Sequence, residues 1–248
     1  MKEWITGRNP VYEILRSGNR QVFRLWVARG LDEKGRLGEI IQLAENRKAV
    51  VSRVNRQQLD SLAKGPESHQ GVALESSGYP YSFLPDILEV ARGNAEPLFV
   101  LILDMIQNPQ NLGSLLRSAE AVGVHGVVLP LARAAGVTPA VVHASSGATE
   151  HLKIAQMNLV QAIAACKDAG AWVVGLEGGR NAQPAEDVRL DGALALVVGN
   201  EGEGMRPLVA RSCDVLIRLP MRGRVDSLNA AAAGTVALYL ALMARQRA

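Results

Sequence analysis

Aromatic residues are scarce: three Trp, four Tyr and three Phe in 248 residues. The core must therefore be assembled from Ala, Val, Leu and Ile, the composition of helix-covered parallel sheets rather than of aromatic-rich β-sandwiches. Cysteine is scarcer still. Cys166 and Cys213 form no CxxC and have no His pair nearby, which excludes a disulfide framework and a zinc site and fits a reduced, cytoplasmic protein with no bound metal. The N-terminal MKEWITGRNP has no apolar core of a secretory signal. Residues 227–244 carry no charge, but Asn229, Gly234 and many alanines make them a poor membrane span, and a buried C-terminal helix is expected there. Net charge is also small, +3, which permits a nucleic-acid partner without demanding one. What is abundant is apolar: 48% of residues are hydrophobic, which excludes a disordered chain.

Charge and punctuation divide the chain. Residues 1–78 hold 13 basic and 9 acidic residues, residues 97–248 hold 13 and 12, and Gly and Pro cluster at 78–85 and 93–97 around one short helical pattern. This predicts a small domain at 1–78, a linker at 79–96 and a larger domain at 97–248. In the first part the pattern predicts helices at 9–17 and 35–46, strands at 23–28, 49–54 and 71–75, and a helix capped by Asn55 that runs through Ala63. Arg20, Arg24, Arg29, Arg36, Arg47, Lys48, Arg53 and Arg56 stud this α/β unit. From charge alone, a solvated face accounts for them. In the second part, apolar runs at 98–103, 126–129, 172–176, 194–198 and 215–219 alternate with helical patterns. Such runs read as strands buried on both faces, hence an α/β fold with a mainly parallel sheet and ligands at the carboxyl ends of its strands.

Three strand-end loops carry polar and glycine-rich sequence. The first, Asp104-Met-Ile-Gln-Asn108-Pro-Gln-Asn111-Leu-Gly113, opens a helix that Asn111 can cap and that contains Arg117. The second is Gly199-Asn-Glu201-Gly202-Glu-Gly204-Met, whose glycines let backbone approach a ligand closely. Their GxxGxG order is the reverse of the dinucleotide fingerprint, which argues against a NAD-binding oxidoreductase, and no phosphate loop of the GxxxxGK[ST] type is present. The third, Leu219-Pro-Met221-Arg-Gly-Arg-Val-Asp-Ser227-Leu228-Asn229, leads into the uncharged helix, with Ser227 as its expected cap. Read singly, each loop is explained by turns and caps.

Read together, NPQNLGSLLRSA, VVGNEGEGM and LPMRGRVDSLNAAAA resemble the three signature motifs of the SpoU, or TrmH-like, RNA ribose 2′-O-methyltransferases, in order and spacing. The first third, with GRNPVYEIL and HQGVAL, is similar to that family's small L30e-like substrate-binding domain. In length and architecture the resemblance is nearest to bacterial 23S rRNA guanosine-2′-O-methyltransferases. It implies an α/β-knot (SPOUT) fold, in which the C-terminal segment threads a loop as a trefoil, a topology that general rules would have discarded. It implies S-adenosylmethionine as methyl donor, held against Gly199, Leu219 and Leu228 with backbone at Glu201, Gly202, Met221 and Ser227. It implies a catalytic set of Asn111, Arg117, Glu201, Ser227 and Asn229, a homodimer, and ribosomal RNA as partner, 23S in particular. A guanidinium is a reluctant base. The expected role of Arg117 is therefore to steady the developing alkoxide and adjacent phosphate, with Asn111 holding Arg117 and Glu201 orienting its loop. Asn108 stands where the family often has Asp, and Asn229-Ala-Ala-Ala-Ala replaces Asn-Val-Ser-x-Ala; neither removes a residue assigned to chemistry. Arg222 and Arg224 are further candidates for phosphate contact. Two rival readings remain at this level: a methyltransferase for tRNA or another rRNA nucleotide, and an RNA-binding or assembly protein without catalysis.

Overall fold

The computed structural model describes residues 2–63, 69–179, 182–224 and 227–247. The chain forms two units, one of Met1–Pro80 with Val137–His151, the other of Tyr81–Gly136 with Leu152–Ala248.

The first unit contains β1 (Lys2–Thr6), α1 (Arg8–Ser17), β2 (Val22–Ala28), α2 (Arg36–Asn46), β3 (Val50–Val54), α3 (Arg56–Asp60) and β4 (Val72–Ser77). Its sheet has the order β1-β4-β2-β3, with β4 antiparallel to both neighbours and β2 parallel to β3. Helix α1 carries Pro10 in its first turn and ends at Gly18 with φ 78°, the left-handed conformation that glycine adopts without a Cβ penalty. Asn55 caps α3 as expected, in a reciprocal box with Gln58, but the helix stops at Asp60 rather than Ala63. Strand β1 was not anticipated, because its alternation over KEWIT is too short to separate from the helix that follows.

In the second unit come α4 (Leu84–Gly93), β5 (Phe99–Leu103), α5 (Pro109–Ala121) and β6 (Gly126–Leu129). The chain next contributes α6 (Pro139–Ala144) and a 3₁₀ turn at Ala148–His151 to the first unit. It resumes with β7 (Ile154–Gln156), α7 (Leu159–Asp168), β8 (Trp172–Leu176), β9 (Gln183–Pro184), β10 (Leu194–Val198), α8 (Pro207–Ser212), β11 (Val215–Arg218) and α9 (Ala230–Arg245). The seven strands order as β7-β6-β5-β10-β8-β11-β9, every neighbouring pair parallel. All five apolar runs are strands, and β5, β6 and β10 are buried throughout. Leu84, Ile87 and Ala91 of α4 enter the core with residues of α7 and α8, so residues 84–93 are part of the second unit rather than a linker. A helix with a buried apolar stripe holds its place in the core; Gly and Pro at its ends only mark its turns.

Helix α9 packs against α5, β8 and β10. A Cβ at Gly234 would lie 2.5 Å from a Leu115 methyl and 3.4 Å from both methyls of Val198, so glycine is what allows this approach. No helix among the described residues is long and apolar enough to cross a membrane.

The transfer of residues 137–151 to the first unit was not visible in sequence. Its anchor is ionic. Glu150, 1% exposed, accepts from Arg20 Nε at 2.9 Å and Nη2 at 2.7 Å, and Arg20, also 1% exposed, reaches Glu3 and the Ser77 carbonyl with Nη1. Two acids and a carbonyl around one guanidinium satisfy a charge that burial would otherwise make costly.

Candidate active site

The three motif loops meet at the carboxyl ends of β5, β10 and β11, on the side where strand order reverses between β5 and β10. The first loop is fixed by Asp104, which is fully buried and accepts from both the backbone and the Nε of Arg206, each at 2.8 Å. Met105 follows with φ 59°, and its carbonyl accepts from Asn200 Nδ2 at 3.2 Å, tying the β5 loop to the β10 loop. Asn108, not Asn111, caps α5, by accepting from the Gln110 amide at 2.8 Å. Proline at the first helical position sets this register, because its fixed φ and missing N–H suit that place.

The second loop closes on itself. Asn200 and Gly204 exchange backbone hydrogen bonds at 3.0 Å in both directions, and Gly204 has φ 67°. A Cβ at Gly199 would lie 2.4 Å from Gly204 carbon and Met205 nitrogen, so no larger residue fits at that position without moving the backbone.

Glu201, at the tip of this loop, draws the other two loops together. Its Oε1 accepts from the side-chain amides of Asn111 and Asn229 and from the Ala230 amide at 3.2 Å, and Asn229 also donates to Asn111 Oδ1 at 3.1 Å. Asn229, rather than Ser227, caps α9, accepting from Ala231 and Ala232 at 3.0 and 3.2 Å. The Asn111 amide thus donates to Glu201 and accepts from Asn229, which makes it a member of this triad. Arg117 stands exposed on α5, and Ser227 and Asn229 are exposed beside the third loop. Arg222 and Arg224 are exposed too, whereas residues 225 and 226 of that motif lie outside the described residues.

Beside the triad is a cavity of about 470 Å³ whose lining includes Gly199, Glu201, Gly202, Leu219, Met221, Ser227 and Leu228, all seven positions named from the resemblance for the cofactor. Leu176, Glu177, Gly178 and Gly179, at the end of β8, complete the wall and were missed. The signal was available: Gly-Gly follows this apolar run as glycines follow β10. The lining suits a nucleoside with a charged tail. Met221 and Leu228 are 41% and 42% exposed, an apolar surface for an adenine to cover. A Cβ at Gly178 or Gly202 would meet nothing within 4 Å, so backbone there is open to a ligand. Glu177 supplies a carboxylate for hydroxyls or ammonium. No cluster of metal ligands occurs among the described residues.

Comparison with known proteins gives this geometry a family. The SpoU rRNA Methylase family profile matches residues 98–239, and the profile for RNA 2′-O ribose methyltransferase substrate binding matches residues 4–82. A Bacillus subtilis protein placed in the TrmH family of tRNA/rRNA methyltransferases, YacO, is 42% identical over 241 residues, covering 96% of this chain and 94% of its own. The SpoU methyltransferase AviRb of Streptomyces viridochromogenes, solved with AdoMet, superposes with a TM-score of 0.81 at 24% identity over 99% of this chain and 90% of its own. The TrmH/SpoU tRNA modifying enzyme of A. aeolicus, at 26% identity and a TM-score of 0.55, covers only 66% of this chain and 81% of its own. The chain belongs to the SpoU family, as an S-adenosylmethionine-dependent RNA 2′-O-methyltransferase acting on tRNA or rRNA.

Proposed function

We propose that the enzyme methylates the ribose 2′-hydroxyl of a guanosine in 23S rRNA. The observation that carries the site assignment is the meeting of three sequence-distant loops at the Glu201 carboxylate, beside a cavity lined by the seven cofactor positions. Ribosomal rather than transfer RNA is supported by the chain's resemblance, in length and two-part architecture, to 23S rRNA enzymes; the A. aeolicus tRNA enzyme matches only about two thirds of the chain. When bound, S-adenosylmethionine supplies a methyl group on a sulfonium.

The chain's residues then have alignment and charge to manage. Gly199, Gly202, Leu219, Met221, Ser227 and Leu228 hold the cofactor, with the leucines and Met221 covering its apolar body. Glu201 keeps the three loops in register through Asn111 and Asn229. Arg117 steadies negative charge on the 2′-oxygen and the neighbouring phosphate, a role suited to the planar, five-donor fork of a guanidinium. The first unit binds the RNA, consistent with its excess of basic residues. A homodimer is supported by the apolar face of α9, where Val236, Tyr239, Leu240 and Met243 are 37 to 44% exposed. The threading of α9 after the third loop as a trefoil, and a cytoplasmic location, complete the reading.

The test is methyl transfer from labelled S-adenosylmethionine to purified rRNA and tRNA, followed by mapping of the modified nucleotide. A 2′-O-methylguanosine in 23S rRNA is expected; a mark confined to tRNA overturns the substrate, and cofactor binding without any transfer favours the assembly role. Arg117→Ala should lower turnover by about 100-fold or more with cofactor affinity unchanged; near-normal turnover would remove Arg117 from the mechanism.

A further inference from the structure

The arginines of the first unit divide into two groups. Four of its nine are occupied by the fold. Arg20 is buried between Glu3 and Glu150, Arg24 makes a bidentate pair with Glu75, and Arg53 does the same with Glu33. Arg47 donates to the carbonyls of Ile14, Leu15, Gly18 and Arg20. These side chains lock β-strands and helix ends, and their charge is answered within the protein.

Arg8, Arg36 and Arg56 are different. They line one cleft of about 530 Å³ with Asn9, Gln70 and Gly71, and no acidic residue is among its described lining. Each is the first residue of its helix, α1, α2 and α3. A cation at the positive end of a helix is placed against the dipole, which costs rather than gains stability. Neither Gly7 nor Gly35 caps α1 or α2 with a side chain. The partners of the three arginines are weak or neutral. Arg8 donates its Nε to the Gln70 carbonyl at 3.1 Å, and Arg36 reaches Glu39 at 3.4 Å across an exposed turn while lying 3.8 Å over the Tyr12 ring. Arg56 is exposed and makes no ion pair among the described residues. Three guanidinium groups gathered against two uncapped helix ends, with Arg36–Glu39 their one ion pair among the described residues, form a site of excess positive charge.

We infer that this cleft, through Arg8, Arg36 and Arg56, grips the phosphodiester backbone of the substrate RNA, away from the reacting ribose. The inference rests on the RNA methyltransferase reading and narrows it to three side chains. These are positioning residues: they raise affinity for RNA and take no part in methyl transfer. Backbone contacts of this kind are sequence-independent and release counterions, so their signature is the salt dependence of binding.

The experiment uses the full chain, ribosomal RNA as probe, and the variants Arg56→Gln and Arg8→Gln/Arg36→Gln/Arg56→Gln, with Arg189→Gln, an exposed arginine paired to Asp191 in the second unit, as control. The slope of log affinity against log salt should fall by about 0.7 for Arg56→Gln and by about 2 for the triple variant. The KM for RNA should rise about tenfold or more in the triple variant, with kcat at saturating RNA within about twofold of wild type, cofactor affinity intact and the control unchanged in slope. An unaltered slope and KM in Arg56→Gln and in a triple variant that melts like wild type would overturn the proposal. Should the triple variant not fold, Arg56→Gln decides, since that side chain is exposed. If the wild-type protein binds RNA, loses slope in the variants and methylates no RNA, the cleft stands and the activity reading falls.

Discussion

The two units handle polarity in opposite ways. The first spends guanidinium groups as structural ties, with Arg20, Arg24, Arg47 and Arg53 each answered by acids or carbonyls. The second relies on small residues: Gly199 and Gly234 sit where a Cβ would collide, and alanines fill the start of α9. In the first, net positive charge is therefore a poor guide to the RNA-facing surface, since much of it is consumed inside the fold. In the second, close approach is the resource, because loops must come near a ligand and helix α9 must come near α5.

The contrast can be broken at its strongest points. Arg20→Met should destabilise the first unit by about 3 to 5 kcal/mol, because Glu150 is left buried and unpaired. Chemical denaturation should show that loss, and Arg20→Met/Glu150→Leu should recover part of it; a variant as stable as wild type would show the ionic anchor to be idle. Gly199→Ala should weaken cofactor binding about tenfold or more, the cost of about 1 to 3 kcal/mol for forcing backbone apart in a packed loop. Calorimetry would reveal it, and full affinity would mean the loop can open without harm. Asn229→Ala removes the α9 cap, one donor to Glu201 and one to Asn111, costing about 0.5 to 2 kcal/mol of stability and lowering turnover as well. The smallest effect is expected at the thiols. Burial raises Cys166 to about 11 and Cys213 to about 12, so both stay protonated and neither should react with iodoacetamide at pH 8 until the protein is unfolded. Rapid labelling of the native chain would contradict this.

The sequence was most legible where pattern is redundant. Five strands announce themselves by continuous apolar runs, and the three motifs by their order. Short edges were not legible: β7 has three residues and β9 two, too few for any periodicity. The move of residues 137–151 to the first unit depends on a pairing between Arg20 and Glu150 across 130 positions, which no local pattern encodes. In the site, the capping duties read from composition were exchanged. Asn111 and Ser227 are plausible caps by composition, yet Asn108 and Asn229 take those places, because Pro109 fixes where α5 begins and the Glu201 carboxylate draws Asn229 to the head of α9.

The convergence on Glu201 also has a consequence in time. Its partners come from the first loop, from its own, and from the residues that begin the last helix, and ribosomes deliver these from the N-terminal end onward. The early strands can be synthesised and paired while the carboxylate still lacks Asn229 and the Ala230 amide. Only after α9 emerges does the acceptor acquire its full set of donors, so a nascent chain has no finished pocket in which to consume the methyl donor. Competence waits for the 16-residue α9, whatever the state of the strands made before it.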